Sequence, residues 1–142
     1  MKATGLSTWM GSWREGTGTI STTTATFKEV AFSFSSRFQG TPGGSPEELL
    51  AVALAGCFNQ ALANNFGMIG LEADTIETSV AIELGFGLDK FPNIFNIIIV
   101  CEARIVGISK EDFEGCAERA RTRCTIARLL KIDPHLTATL VV

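Results

Sequence analysis

Tyrosine is absent from the chain, histidine occurs once, at His135, and proline occurs four times. Without tyrosine the aromatic bulk, ten Phe and two Trp, carries no phenolic hydroxyl. A single histidine, and four cysteines with no Cys-x-x-Cys spacing, leave no set of ligands suited to zinc, so no metal is expected. A basic excess is also missing. The net charge is -3 and the pI about 5.2, which argues against nucleic acid as a partner. No stretch is apolar for the ~20 residues that a membrane span requires. The longest candidate, Leu49 to Ala63, carries Asn59 and Gln60, so no membrane partner is expected. The N-terminus holds Lys2 and no apolar segment of the secretory kind, which points to a cytoplasmic protein. Stable disulfides are rare in that compartment, so the cysteines are expected to be free, catalytic or metal-binding.

What is present suits one domain over residues 1–142, with 46% apolar residues to fill a core. The first 36 residues read as β structure. Thr17 to Phe27 is Thr-rich, Glu15-Gly16 suits a hairpin turn, and Phe32-Ser33-Phe34-Ser35 alternates at the period of a half-buried strand. Gly40-Thr41-Pro42-Gly43-Gly44 is a loop. A helix then starts sharply: Ser45 can cap it, Pro46 suits its first position and Glu48 completes a capping box. From Leu49 to Phe66 this helix is apolar on nearly every side, as befits the middle of a structure. Strands are expected over Thr75 to Leu84 and Ile94 to Val106, a helix from Ser109 to about Arg121, a short helical piece from Thr125 to Lys131 and a last strand from Leu136 to Val142. The order βββ-α-ββ-α-β gives an α+β fold, with an antiparallel sheet packed on a long buried central helix.

Local context ranks the polar and sulfur-bearing residues. Cys57, in mid-helix after Ala55-Gly56, reads from periodicity alone as a small buried hydrophobe. Cys124 stands at an expected helix start beside Arg123, where dipole and cation both favour a thiolate. Cys101 continues a β-branched run and Cys116 lies on a helix's buried stripe; both read as packing residues. Glu47 and Glu48, in a first helical turn, suit the helix dipole. Arg119, Arg121, Arg123 and Arg128 follow Glu111, Asp112, Glu114 and Glu118, the pattern of a solvated helix face.

Longer motifs change these weights. Arg37-Phe38-Gln39-Gly40, Ser45-Pro46-Glu47-Glu48-Leu49-Leu50, Ala55-Gly56-Cys57-Phe58 and Arg123-Cys124-Thr125-Ile126-Ala127 together resemble the OsmC family of osmotically induced peroxide reductases. Trp9-x-Gly11 and Gly16-x-Gly18-x-x-Ser21-Thr22 extend the likeness over nearly the whole chain. The resemblance implies an intertwined homodimer that reduces organic hydroperoxides and hydrogen peroxide, in the setting of oxidative and osmotic stress. Residue by residue it implies Cys57 as the peroxidatic cysteine, Cys124 as the resolving one, Arg37 as the thiolate-stabilising arginine, and Glu47 and Glu48 as the acidic pair that positions it. It implies a lipoyl-type or small dithiol reductant, and no metal, haem or flavin cofactor. The Arg-Phe-x-Gly setting of Arg37 is that of the OsmC branch; the organic hydroperoxide resistance branch carries its arginine nearer the N-terminus. Thr125 stands where the family usually has proline.

The chemistry needs these residue types. The nucleophile toward an O–O bond is thiolate, a guanidinium stays charged at any working pH, and a carboxylate fixes its planar fork. Helix geometry adds an expectation of its own. Glu48 and Cys57 are nine positions apart on one helix, roughly 13 Å along its axis. A site shared between the subunits of a homodimer would close that gap. The rival reading is a non-enzymatic dimeric module that binds a small apolar ligand and keeps its cysteines for packing.

Overall fold

The computed structural model describes residues 1–141, which form two compact units, Met1–Leu49 and from Leu50 onward. The end of the last expected strand, Val142, lies outside the described residues.

The first unit is a three-stranded antiparallel sheet. Strand β1 (Gly5–Met10) pairs with β2 (Thr17–Thr22), from Gly5 opposite Thr22 to Met10 opposite Thr17. The turn between them is closed by the Gly16 N–H donating to the Ser12 carbonyl at 2.8 Å, with Gly11 at φ 92°. Strand β3 (Val30–Ser33) returns along β2. The expected strand over Phe32 to Ser35 is corrected here. It stops at Ser33, and Phe34–Phe38 is a short helix, α1. The cause is local: the Ser33 hydroxyl accepts from Ser36 N–H while the Ser36 hydroxyl accepts from Ser33 N–H, a reciprocal capping box. Likewise β2 ends at Thr22, and not at Phe27.

Helix α2 (Pro46–Met68) begins where expected, with the Ser45 hydroxyl accepting from Glu48 N–H at 3.0 Å. Its 23 residues are long and apolar enough to cross a membrane, which overturns the argument from length. One face of it is packed. Leu54, Phe58, Leu62 and Phe66 are fully buried, four residues apart on one face. They share a core with Ile97, Ile99, Cys101 and Ala103, alternate residues of β5 (Pro92–Arg104), and with Phe113, Cys116, Ala117 and Ala120 of α3 (Lys110–Arg123). Phe66 stacks on Phe113 with centroids 6.2 Å apart. The buried amide of Asn65 donates to the Cys116 carbonyl at 2.9 Å, and Asn59 donates to Ile76 O of β4 (Thr75–Phe86) at 3.3 Å.

The second sheet has the order β4-β5-β6, with β6 spanning His135–Val141. β4 and β5 pair antiparallel, as expected. β5 and β6 pair parallel, from Ile98 opposite His135 to Arg104 opposite Val141. Parallel neighbours need a long crossover, and α3 supplies it. The expected α+β class stands, with this one parallel pair as the departure from an all-antiparallel sheet.

Candidate functional site

In the first unit Arg37 closes the last turn of α1, and the chain then turns through Gly40, at φ 70°, toward the start of α2. Its guanidinium meets Glu47 in a two-pronged bond: Nη2 donates to Oε1 at 2.5 Å and Nε to Oε2 at 3.3 Å. Both side chains are largely shielded, 27% and 14% exposed, so water competes little for the pair. The same guanidinium lies 4.8 Å from the Phe38 ring centroid, and Phe38 packs on Phe34 at 4.9 Å. Arg14 stacks over Trp13 and Phe34 of the same aromatic group. Arg37 is thus fixed by one carboxylate and one ring. The carboxylate is Glu47; Glu48, named with it from the sequence, is exposed, and its N–H takes the Ser45 cap.

In the second unit the structure brings Cys57 and Cys124 together. The thiols are both free, and the Cys57 side chain is close enough to act on the Cys124 thiol. Cys57 is half-buried on α2, and its sulfur accepts a hydrogen bond from the Ile126 backbone N–H at 3.4 Å. The helix-start setting expected for Cys124 is corrected. Cys124 ends α3, in extended conformation, its N–H bonded to the Ala120 carbonyl at 3.1 Å. The short 3-10 turn that follows covers Ala127–Leu129. The thiol is 4% exposed, and burial pushes its pKa up. Backbone N–H groups of Ala127 and Ile126 pull the other way, while Cys57 adds to the rise. Burial decides, so Cys124 holds its proton at neutral pH.

Cys101 and Cys116 are buried in the core, as expected of packing residues, and burial raises both thiols. Among the described residues no three His, Cys, Asp or Glu side chains gather as a metal site would need. Sequence reasoning missed the Ile126 N–H and the Phe38 ring. A main-chain donor leaves no mark in residue types, whereas the Arg37-Phe38 dipeptide could have suggested the stacking.

Residues 38–139 match the OsmC-like protein family. Among curated proteins, Peroxiredoxin OsmC of Escherichia coli strain K12 is 31% identical over 134 residues, which cover 91% of this chain and 90% of that protein. Among solved structures, the OsmC-like protein of Mycoplasma pneumoniae superposes with a TM-score of 0.75 at 14% identity, covering 100% of this chain and 99% of that one. The organic hydroperoxide resistance protein OhrB of Bacillus subtilis gives 0.71 at 19% identity, covering 97% and 98%.

Proposed function

The chain belongs to the OsmC-like family, and on that premise we propose that it is a thiol-dependent hydroperoxide reductase in which Cys57 attacks and Cys124 resolves. The observation that carries the reading is the meeting of two thiols 67 positions apart, one half-exposed with an amide donor on its sulfur, the other buried and protonated. The name of the Escherichia coli relative supports peroxide as the substrate class.

The Cys57 thiolate attacks the outer oxygen of ROOH. An S–O bond forms, the O–O bond breaks, and the alkoxide leaves and takes a proton to become the alcohol. Cys57 is left as a sulfenic acid. The Cys124 thiol attacks that sulfur; the S–S bond forms, the S–O bond breaks, and hydroxide departs with the Cys124 proton as water. The Cys124 proton is passed to the departing hydroxide as the sulfur attacks. A dithiol of lipoyl type then reduces the disulfide and is itself oxidised to a disulfide. Arg37, oriented by Glu47, supplies the positive charge that favours thiolate at Cys57.

We read the working unit as a homodimer. On α2, Ala53, Gly56, Gln60, Ala63 and Gly67 form an exposed row of mostly small residues on an otherwise apolar helix, a face suited to close helix packing.

Thiol counting tests the chemistry. One equivalent of cumene hydroperoxide should remove two of the four thiols of the reduced protein. Cys124→Ser should lose one thiol and trap a sulfenic acid, and Cys57→Ser should lose none. Unchanged peroxide consumption by Cys57→Ser refutes the assignment. A wild-type protein that keeps all its thiols would support the non-enzymatic reading.

A further inference from the structure

Between α2 and α3 lies an open groove of about 380 Å³, lined by Ala61, one helical turn from Cys57, and by Asn64, Asn65, Met68, Arg119 and Arg123. This volume falls in the range of small-molecule sites, ~300–1,000 Å³. On α2 the lining continues the row that Cys57 begins, since positions 57, 61, 64 and 68 recur at helical spacing. The two helices run antiparallel: Ile126 meets Cys57, Cys116 meets Asn65 and Phe113 meets Phe66. Arg123, the residue before Cys124, therefore lies at the end of the groove nearer the sulfurs, and Arg119 one turn farther away.

The two guanidiniums differ from their neighbour. Arg121 is tied to Glu118 at 2.5 Å and also donates to the Pro134 carbonyl. Arg119 and Arg123 enter no ion pair among the described residues, although four acids precede them on or near α3. Spaced four apart, they stand one above the other on the groove wall. The floor offers the exposed Asn64 amide and the apolar Ala61 and Met68. Positive wall, amide donor and apolar floor match an amphipathic anion with its charge held away from its reacting end.

We propose that this groove is a carboxylate subsite, in which Arg119 and Arg123 bind the carboxylate of an organic molecule whose other end reacts at Cys57 or at the Cys57–Cys124 disulfide. The inference rests on the proposed thiol chemistry and deepens it by naming two specificity residues. From Cys57 to Asn64 is seven positions of α2, about 10 Å along the axis. The ligand is therefore an acid with a short aliphatic chain between carboxylate and reacting group. Two molecules in the cycle can carry such a carboxylate, the hydroperoxide and the reducing dithiol.

Paired probes identify the source. A hydroperoxide with a terminal carboxylate is compared with its methyl ester in single-turnover oxidation. Dihydrolipoate is compared with dihydrolipoamide in reduction of the disulfide form. Each pair is run on wild type, on Arg119→Gln/Arg123→Gln, and on Arg128→Gln, which removes a charge outside the groove and close in sequence to Ile126. The double variant should lose about tenfold toward the acid of at least one pair, as expected for removing charged hydrogen bonds, and little toward its neutral partner. Arg128→Gln should leave both acid-to-neutral ratios near wild type. The arm that responds names the molecule. A third pair is independent of peroxidase activity: labelling of Cys57 by 6-maleimidohexanoate against its methyl ester should show the same selective loss. Should wild type consume no peroxide while this labelling preference persists, the peroxidase reading fails and the subsite stands. Acid-to-neutral ratios unchanged by the double variant in all three pairs, or reduced equally by Arg128→Gln, overturn the subsite.

Discussion

At the scale of single residues, the geometry of Arg37 separates charge from orientation. Its fork engages Glu47 through two nitrogens, and its face lies against Phe38. Lysine could supply the charge but neither the fork nor the stacking plane. Arg37→Ala is expected to slow Cys57 oxidation by about ten- to a hundredfold at pH 7. Arg37→Lys should recover part of the loss, and Glu47→Gln should lower the rate less than Arg37→Ala does. Glu48→Gln should stay within about twofold of wild type, because its contact to α2 is made by the backbone. Stopped-flow oxidation at pH 7 checks the series; a rate that Arg37→Ala leaves unchanged would remove Arg37 from the mechanism.

At the scale of elements, the sequence was legible wherever one local signal dominated. Ser45-Pro46 with Glu48 marked the start of α2, and Ser109 with Asp112 that of α3. The alternation in β4 and the apolar run of β5 located the hairpin. Where two local signals compete, the expectation fails. Phe32 to Ser35 alternates like a strand, but Ser33 and Ser36 satisfy each other's main chain and begin a helix. The helical piece expected from Thr125 to Lys131 would put Cys124 at a helix start, yet the residue ends α3 in extended conformation. The partners of Arg37 and Cys57 were legible only in part: Glu47 was named as one of two acids, while the Ile126 N–H was invisible. The core bears two predictions. Asn65→Ala leaves the Cys116 carbonyl without this donor inside the core, and should cost about 1–3 kcal/mol in urea unfolding. An alkaline limb should also appear. Cys101, Cys116 and Cys124 are raised by burial. Below the unfolded thiol value, ~8.5, both states are protonated and the full stability is present. Above it the unfolded chain sheds protons that the fold retains, so stability falls as pH climbs through the raised folded values. Cys101→Ala removes one of these groups, so its urea midpoint should fall less steeply between about pH 8 and pH 10 than that of wild type. Parallel slopes would mean that Cys101 contributes nothing to the limb.

At the scale of the whole molecule, one helix sets a problem that the proposed homodimer would solve. Glu47 and Cys57 stand ten residues apart on the continuous α2, about 15 Å along its axis. Arg37 is tied to the Glu47 end. A side chain anchored there cannot serve a sulfur so far along the same helix without leaving its carboxylate. Two α2 helices packed antiparallel about a two-fold axis bring the acidic end of each toward the cysteine of the other. The exposed row from Ala53 to Gly67 has the small residues that such an approach needs. Arg37 and Glu47 of one subunit are therefore expected to act on Cys57 of the other, while Cys57 and Cys124 pair within a chain. Cys57→Ser and Arg37→Ala proteins, each impaired alone, should complement when their subunits are exchanged. In a mixed dimer one site combines the intact Cys57 of the Arg37→Ala chain with the intact Arg37 of the Cys57→Ser chain. A statistical mixture is half mixed dimers, each with one of two sites restored, so the mixture should regain about one quarter of wild-type activity. Differently tagged subunits, purified in tandem, isolate the mixed species and should raise that recovery to about one half. Mixed dimers without recovered activity would place Arg37 and Cys57 in the same chain, and would require α2 to bend or break between Glu47 and Cys57 during the reaction.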